Sequence, residues 1–174
     1  MVGGKIDGVL IAELKEFPDE RGRFIETFRQ EWFPGAPSMV QANRSDSKAG
    51  VVRALHFHRK QADYWYCPRG RIFVALYDLR RSSPTHGTAW HLEIGEGAEL
   101  GVYIPPGVAH GFQALTDATL TYLVDQAYDA SDEFGVVWDD PDIGMPWPIA
   151  STELSDRDKQ NPKVADIPDD QLPV

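Results

Sequence analysis

Two short runs carry most of the constraint on how this chain folds. RIFVALYDL (residues 71–79) and ATLTYLV (residues 118–124) are apolar on both faces, as inner strands of a packed barrel or sandwich are. A third run has the period of a half-buried strand, with Trp90, Leu92 and Ile94 alternating with His91 and Glu93. Thirteen prolines and fifteen glycines punctuate segments of this kind along the whole length, and there is no repeat or low-complexity linker. The pattern predicts an all-β fold in a single domain over residues 1–174. Residues 9–17 and 23–28 are further strand candidates, separated by a turn at 19–22. Helix is expected only near residues 30–33 and in a short segment after Ser155. The proline- and aspartate-rich tail, residues 159–174, is expected to lie on the surface or fray.

A chain of 174 residues buries roughly two-thirds of its unfolded surface and needs no covalent staple. Its one cysteine, Cys67, excludes an internal disulfide and points to a reducing compartment. The first residues lack the apolar core of a secretory signal, and no run reaches membrane-spanning length. A cytoplasmic protein with no membrane partner is the expectation. The net charge of −10, from 27 acidic and 17 basic residues, disfavours nucleic acid, whose phosphates need a basic surface. It leaves room for a small anion gripped by a local group of arginines.

The chemistry-bearing runs are GVVRALHFH (residues 50–58) and PPGVAH (residues 105–110). His56 lies on the opposite strand face from Leu55 and Phe57. An imidazole there serves as a general base when a carboxylate orients its other nitrogen. A core histidine satisfied by hydrogen bonds fits the spacing equally well. Arg53, three residues earlier, faces the other way on a regular strand. Only a bulge or twist brings it beside His56, where a guanidinium suits a diphosphate; otherwise it forms a surface ion pair. Arg21 and Arg23, flanking Gly22 in a turn, carry the same two readings. His110 follows a turn set by Pro105 and Gly107, a device that favours a functional role. Tyr128, beyond the strand ending at Val124, is either a proton donor or a packing tyrosine.

A competing pattern joins His56, His58, Asp63 and His110. Their order follows the two-part metal motif of cupin barrels, with Asp63 in place of a glutamate. Three imidazoles and a carboxylate suit a first-row divalent metal with open positions.

Taken in order, several stretches resemble the dTDP-4-dehydrorhamnose 3,5-epimerase family from about residue 17 to residue 162: DERGRFIE (19–26), VQANRS (40–45), RALH (53–56), DLRRSSPT (78–85), IPPGVAHGF (104–112), WDDP (138–141), WP (147–148) and LSDRD (154–158). The resemblance implies a jelly-roll (cupin) β-barrel with short C-terminal helical segments. It also implies a homodimer in which an N-terminal strand region reaches the neighbour's site. By position it makes His56 the base, Asp158 its orienting carboxylate and Tyr128 the acid. Arg53, Gln41, Asn43 and His110 would line the pocket. Arg21, Phe24 and Glu26 would hold the nucleotide across the dimer interface.

The implied reaction inverts C3 and/or C5 of a dTDP-4-keto-6-deoxyhexose, in rhamnose-type deoxysugar biosynthesis, with no cofactor. The ketone acidifies the neighbouring C–H bonds, a base makes the enolate, and an acid returns the proton to the other face. Stabilising that enolate is the largest demand. Three positions depart from the family pattern. Ala54 replaces a glycine, His58 a glutamine, and Asp63 stands where a lysine usually lies close to the oxyanion, leaving Arg59 or Lys60 as substitutes. His58 and Asp63 are also the two residues that build the metal pattern. A metal-dependent cupin isomerase or oxygenase, and a non-catalytic sugar-nucleotide binder, are the alternatives.

Overall fold

The computed structural model describes residues 1–150 and 153–173. In chain order the strands are β1 (Val2–Gly3), β2 (Leu10–Glu13), β3 (Glu16–Asp19), β4 (Gly22–Ile25), β5 (Gln41–Ser47), β6 (Val52–Phe57), β7 (Asp63–Arg69), β8 (Arg71–Asp78), β9 (Ala89–Gly95), β10 (Leu100–Ile104), β11 (Val108–Ala114), β12 (Ala118–Val124) and β13 (Phe134–Gly135). They form a six-stranded sheet in the order β1-β2-β10-β7-β12-β5, a five-stranded sheet in the order β13-β6-β11-β8-β9, and a separate hairpin, β3-β4. All of these strand pairs are antiparallel. Two sheets packed in this way make the cupin-type jelly roll. Helix among the described residues is limited to 3₁₀ turns at Gln30–Trp32, Ala130–Asp132 and Val164–Asp166 and one α-helical turn, α1 (Asp156–Lys159).

The two-faced apolar character of β8 has a direct cause. Ile72, Val74 and Leu76 enter the space between the sheets, where they join Trp65, Val102, Ile104 and Leu120 from the opposite sheet. Phe73, Ala75 and Tyr77 point the other way, under a second cluster with Val136, Ile143, Met145 and Ile167. The six-stranded sheet is covered likewise: Tyr64, Tyr66 and Tyr103 share a cluster with Leu14 and Phe33.

That second layer corrects two expectations and sharpens a third. Residues 9–17 form two strands, because the Leu14 N–H donates to the Glu99 carbonyl at 2.9 Å and the chain then leaves the sheet into the hairpin. The strand expected to run to residue 28 ends at Ile25. The Thr27 carbonyl accepts from the Tyr64 hydroxyl at 2.6 Å, and Phe28 stacks on Phe33. The C-terminal tail lies on the surface, the first of its two expected fates, and is anchored there: Ile167 is buried, Val164 and Leu172 pack on the same cluster, and the Val164 N–H donates to Asp140 at 2.7 Å. Its last residue, Val174, lies outside the described residues.

One irregularity positions the site. His110 pairs with His56 and Phe112 with Arg53, so β6 spends two residues, Ala54 and Leu55, opposite the single Gly111 of β11. This is a β-bulge, an extra residue that re-aims its neighbours. It reverses the face parity between Arg53 and His56, which on a regular strand point oppositely. Gly111 makes it possible. A Cβ there would lie 2.4 Å from the Ala54 Cβ and 2.6 Å from the Arg53 carbonyl oxygen.

A second clamp holds the two histidine-bearing strands together. Gly107, at φ +81°, donates its N–H to the His58 carbonyl at 2.7 Å. A Cβ on Gly107 would strike the Arg80 stem at 2.5 Å. Arg80 is fixed by the fully buried Asp78, which also accepts from Ser83 at 2.6 Å and Thr85 at 2.7 Å. Burial alone would raise the Asp78 carboxyl, but these hydrogen bonds outweigh it and hold the pKa at about 2.

Because the obstruction at Gly111 includes backbone, Gly111→Ala is expected to cost about 1–3 kcal/mol of stability by urea unfolding, as overpacking does. An unchanged midpoint would mean that the bulge relaxes freely.

Candidate active site

A cavity of about 240 Å³ opens between the sheets. The inner faces of β6, β11, β7, β12 and β5 supply its wall through Arg53, His56, His110, Phe112, Asp63, Trp65, Tyr122 and Gln41. His56 Nε2 lies 2.7 Å from Asp158 Oδ1, a contact between residues 102 positions apart. The helical turn α1 makes it. Ser155 caps that turn by accepting from the Asp158 N–H at 3.1 Å, which fixes the backbone that carries the carboxylate.

Burial pushes the Asp158 carboxyl up, but the hydrogen bond and charge of His56, the Ser155 hydroxyl and the Ala54 N–H pull it further down. Its net position is below the usual carboxylate value. An ionised carboxylate only accepts, so His56 Nε2 carries the hydrogen and Nδ1 is the nitrogen left to take a proton.

His58 and His110 are held differently. His58 Nδ1 lies 2.8 Å from the Asp132 carbonyl and His110 Nδ1 lies 2.9 Å from the Val108 carbonyl. A carbonyl only accepts, so each Nδ1 is a protonated nitrogen, and in the neutral ring each Nε2 keeps its lone pair. Burial pushes His110 down to about 4 against the opposing charge of Asp63. His110 Nε2 and Asp63 Oδ2 are 3.8 Å apart, too far for a hydrogen bond. Asp63 accepts instead from Gln61 at 2.8 Å and from the Trp65 indole at 3.0 Å. His58, Asp63 and His110 present ligand atoms that all lie within 4.8 Å of one another. His56, the fourth residue of the expected metal set, is not one of this group, and its Nε2 pairs with Asp158.

The remaining expected residues divide. Tyr128 borders the same cavity while 68% exposed, and the Glu133 carboxylate beside it raises the phenol above its ordinary value. Arg53 reaches the cavity and donates to Ser47 at 3.1 Å. Gln41 lines it and donates to Asn43 at 2.8 Å, so Asn43 stands one residue back. Arg21, Phe24 and Glu26 do not line it. They belong to the projecting hairpin and its exit, where Arg21 pairs with Asp19 and Glu26 with Arg29. Arg59 and Lys60 do not enter either. Arg59 donates to the Asp170 carbonyl at 2.6 Å and lies over the Phe134 ring. Sequence reasoning passed over Ser45, Gln61, Trp65, Tyr122 and Glu133. The alternation of Gln41, Asn43 and Ser45 on one face of β5 was the available signal for Ser45.

Comparison with known proteins bears on this geometry directly. The sequence model of the dTDP-4-dehydrorhamnose 3,5-epimerase family matches residues 4–166. The chain belongs to this family. Its members are isomerases. The dTDP-4-dehydrorhamnose 3,5-epimerase of Streptomyces griseus is 36% identical over 171 residues, covering 93% of this chain and 85% of that one. The dTDP-4-dehydrorhamnose 3-epimerase of Streptomyces niveus is 37% identical over 172 residues, covering 94% and 83%. The epimerase of Legionella pneumophila, solved in complex with dTDP-4-keto-L-rhamnose, superposes with a TM-score of 0.93 at 30% identity, covering 99% of this chain and 96% of that one.

Because the Asp158 pKa is depressed on folding, its contribution to stability is present above the unfolded carboxylate value of about 3.9 and is lost as pH falls through the lower folded value. Urea unfolding is expected to show Asp158→Asn less stable than the parent by about 1.5–3 kcal/mol near neutrality, the range for a buried charged hydrogen bond. The gap should narrow below about pH 4. A gap independent of pH would contradict an ionised pair.

Proposed function

We propose that this chain epimerises a dTDP-linked 4-keto-6-deoxyhexose at C3, C5 or both by proton transfer next to the ketone. The observation that carries the reading is the 2.7 Å contact of His56 with Asp158 at a cavity that Tyr128 also borders, in a member of this epimerase family. His56 Nδ1 removes the proton on one face of the sugar. Asp158 holds the ring and stabilises the imidazolium that forms. Tyr128 returns a proton to the other face; Glu133 keeps its phenol protonated, as an acid must be. Arg53 and Gln41 orient the sugar and its phosphate side, with Asn43 fixing Gln41. Work in deoxysugar biosynthesis in the cytoplasm fits this substrate class and the unpaired, buried Cys67 thiol. No helix among the described residues is long and apolar enough to cross a membrane. The acidic net charge argues against nucleic acid as a partner.

The test is substrate in deuterium oxide, followed by NMR. The parent enzyme is expected to place deuterium at C3 or C5. His56→Ala and Asp158→Asn should slow this by about 10²–10⁴-fold, the usual worth of a positioned base. Tyr128→Phe should retain exchange at the carbon His56 deprotonates while losing the inverted product. Absence of exchange with every 4-keto sugar nucleotide tried would reject the proposal.

The nucleotide half of the site is proposed to come from a second copy. Phe17 and Phe24 are 47% and 64% exposed on the hairpin with ring centroids 6.2 Å apart, an apolar pair with much of its surface open to solvent. In a homodimer this arm, with Arg21 and Glu26, would complete the neighbour's pocket. Light scattering is expected to report a dimer. Mixing inactive His56→Ala with an inactive Arg21→Ala, Phe24→Ala double variant should restore part of the activity; no recovery after subunit exchange would place arm and base on one chain.

A further inference from the structure

We propose that His58, Asp63 and His110 form a binding site for one divalent first-row transition metal. The argument rests on hydrogen-bond directions. Both imidazoles spend Nδ1–H on fixed main-chain carbonyls, of Asp132 at 2.8 Å and Val108 at 2.9 Å. His110 Nε2 lies 3.8 Å from the buried Asp63 carboxylate, and a ring nitrogen of His58 lies within 4.8 Å of both partners' ligand atoms. A backbone carbonyl on the far nitrogen is the outer-shell arrangement that orients metal-binding histidines. Asp63 has an outer shell as well: Gln61 donates to one oxygen and Trp65 to the other, and each oxygen keeps one lone pair.

The supports are stiff. The Asp132 side chain accepts from the Arg59 N–H at 3.1 Å and the Lys60 N–H at 3.0 Å, so the carbonyl that holds His58 is tied to the segment following it. Trp65 meets the His110 ring edge-to-face at 88° with centroids 5.3 Å apart.

Electrostatics point the same way. The three groups offer lone pairs and no hydrogen to one another, an arrangement that calls for a cation at its centre. Among the residues lining the cavity, Arg53 alone carries a fixed positive charge. Donors bound at about 2.1 Å are roughly 3.0–3.4 Å apart for tetrahedral or octahedral angles. The 3.8 Å between His110 Nε2 and Asp63 Oδ2 thus closes with a shift of about half an ångström, and the pairs with His58, within 4.8 Å, with at most about 1.8 Å. Two imidazoles and one carboxylate leave coordination positions open and suit zinc, iron(II), manganese or cobalt over calcium. A metal held here supplies a Lewis acid that polarises a carbonyl oxygen. That use rests on the epimerase reading; the binding does not.

Binding is tested apart from turnover. Full-length protein is stripped with chelator and titrated with cobalt(II), read by visible absorption and calorimetry. The expected result is saturation near one equivalent per chain with a d–d band and a raised melting temperature. His58→Gln and Asp63→Asn should each weaken it roughly 100-fold or more, since loss of even an outer-shell partner costs 10–100-fold. Circular dichroism checks that both variants fold. His56→Ala, which removes the proposed base, and His91→Ala, on a different strand, should leave binding unchanged. No saturable binding by the parent protein, or binding that survives both ligand substitutions and so belongs to scattered surface carboxylates, overturns the site. Failure of deuterium exchange in a protein that still binds cobalt would reject the epimerase reading and leave the metal site standing.

Discussion

The bulge in β6 is the constraint from which the site follows. Ala54 and Leu55 share the space opposite Gly111, and this extra residue lets Arg53 and His56 serve one cavity. Both residues of the bulge are fully buried, so the distortion is held by core packing and is not a fluctuation of an edge. A bulge bends its strand and alters local twist, and evolution retains such features beside active sites for that purpose. Here its partner must be glycine, because the opposing strand already carries the Ala54 methyl group.

Around the bulge, separate devices fix each functional group. The capped turn α1 delivers Asp158 to His56 from far along the chain. The Gly107 N–H ties the turn before β11 to the end of β6, so His58 and His110 approach from neighbouring strands in a fixed relation, with ring centroids 5.7 Å apart. Arg80, held by Asp78, packs beneath that turn. These contacts are polar but largely withdrawn from water, which makes each geometrically exacting. The cavity is therefore framed by strands of both sheets, with Tyr128 and Arg53 at its exposed rim.

Much of this was legible beforehand, and the reasons differ by element. The strand at residues 118–124 was legible in full, because β-branched and aromatic residues between turn residues have few other ways to pack. The pairing of His56 with Asp158 came from order of motifs shared with a family, since nothing local connects residues 102 apart. The exit of residues 14–19 into a hairpin was not legible; the same apolar pattern fits one strand or two, and a hydrogen bond to Glu99 decides. The surface position of the tail was legible but its anchoring was not, because its prolines and aspartates masked Val164, Ile167 and Leu172, which cover an outer sheet face.

Sequence alone determined the all-β class, the family and the identity of the groups able to move protons, because these depend on side-chain chemistry and on short-range periodicity. Tertiary structure alone decided which of those groups meet. It paired His56 with Asp158, separated His56 from the cluster of His58, Asp63 and His110, and turned Arg53 inward. It kept Arg59 outside and sent the hairpin away from its own chain's cavity. The physical reason is that a one-residue change of register exchanges the two faces of a strand. Register is settled by long-range packing, and here by what fits against Gly111.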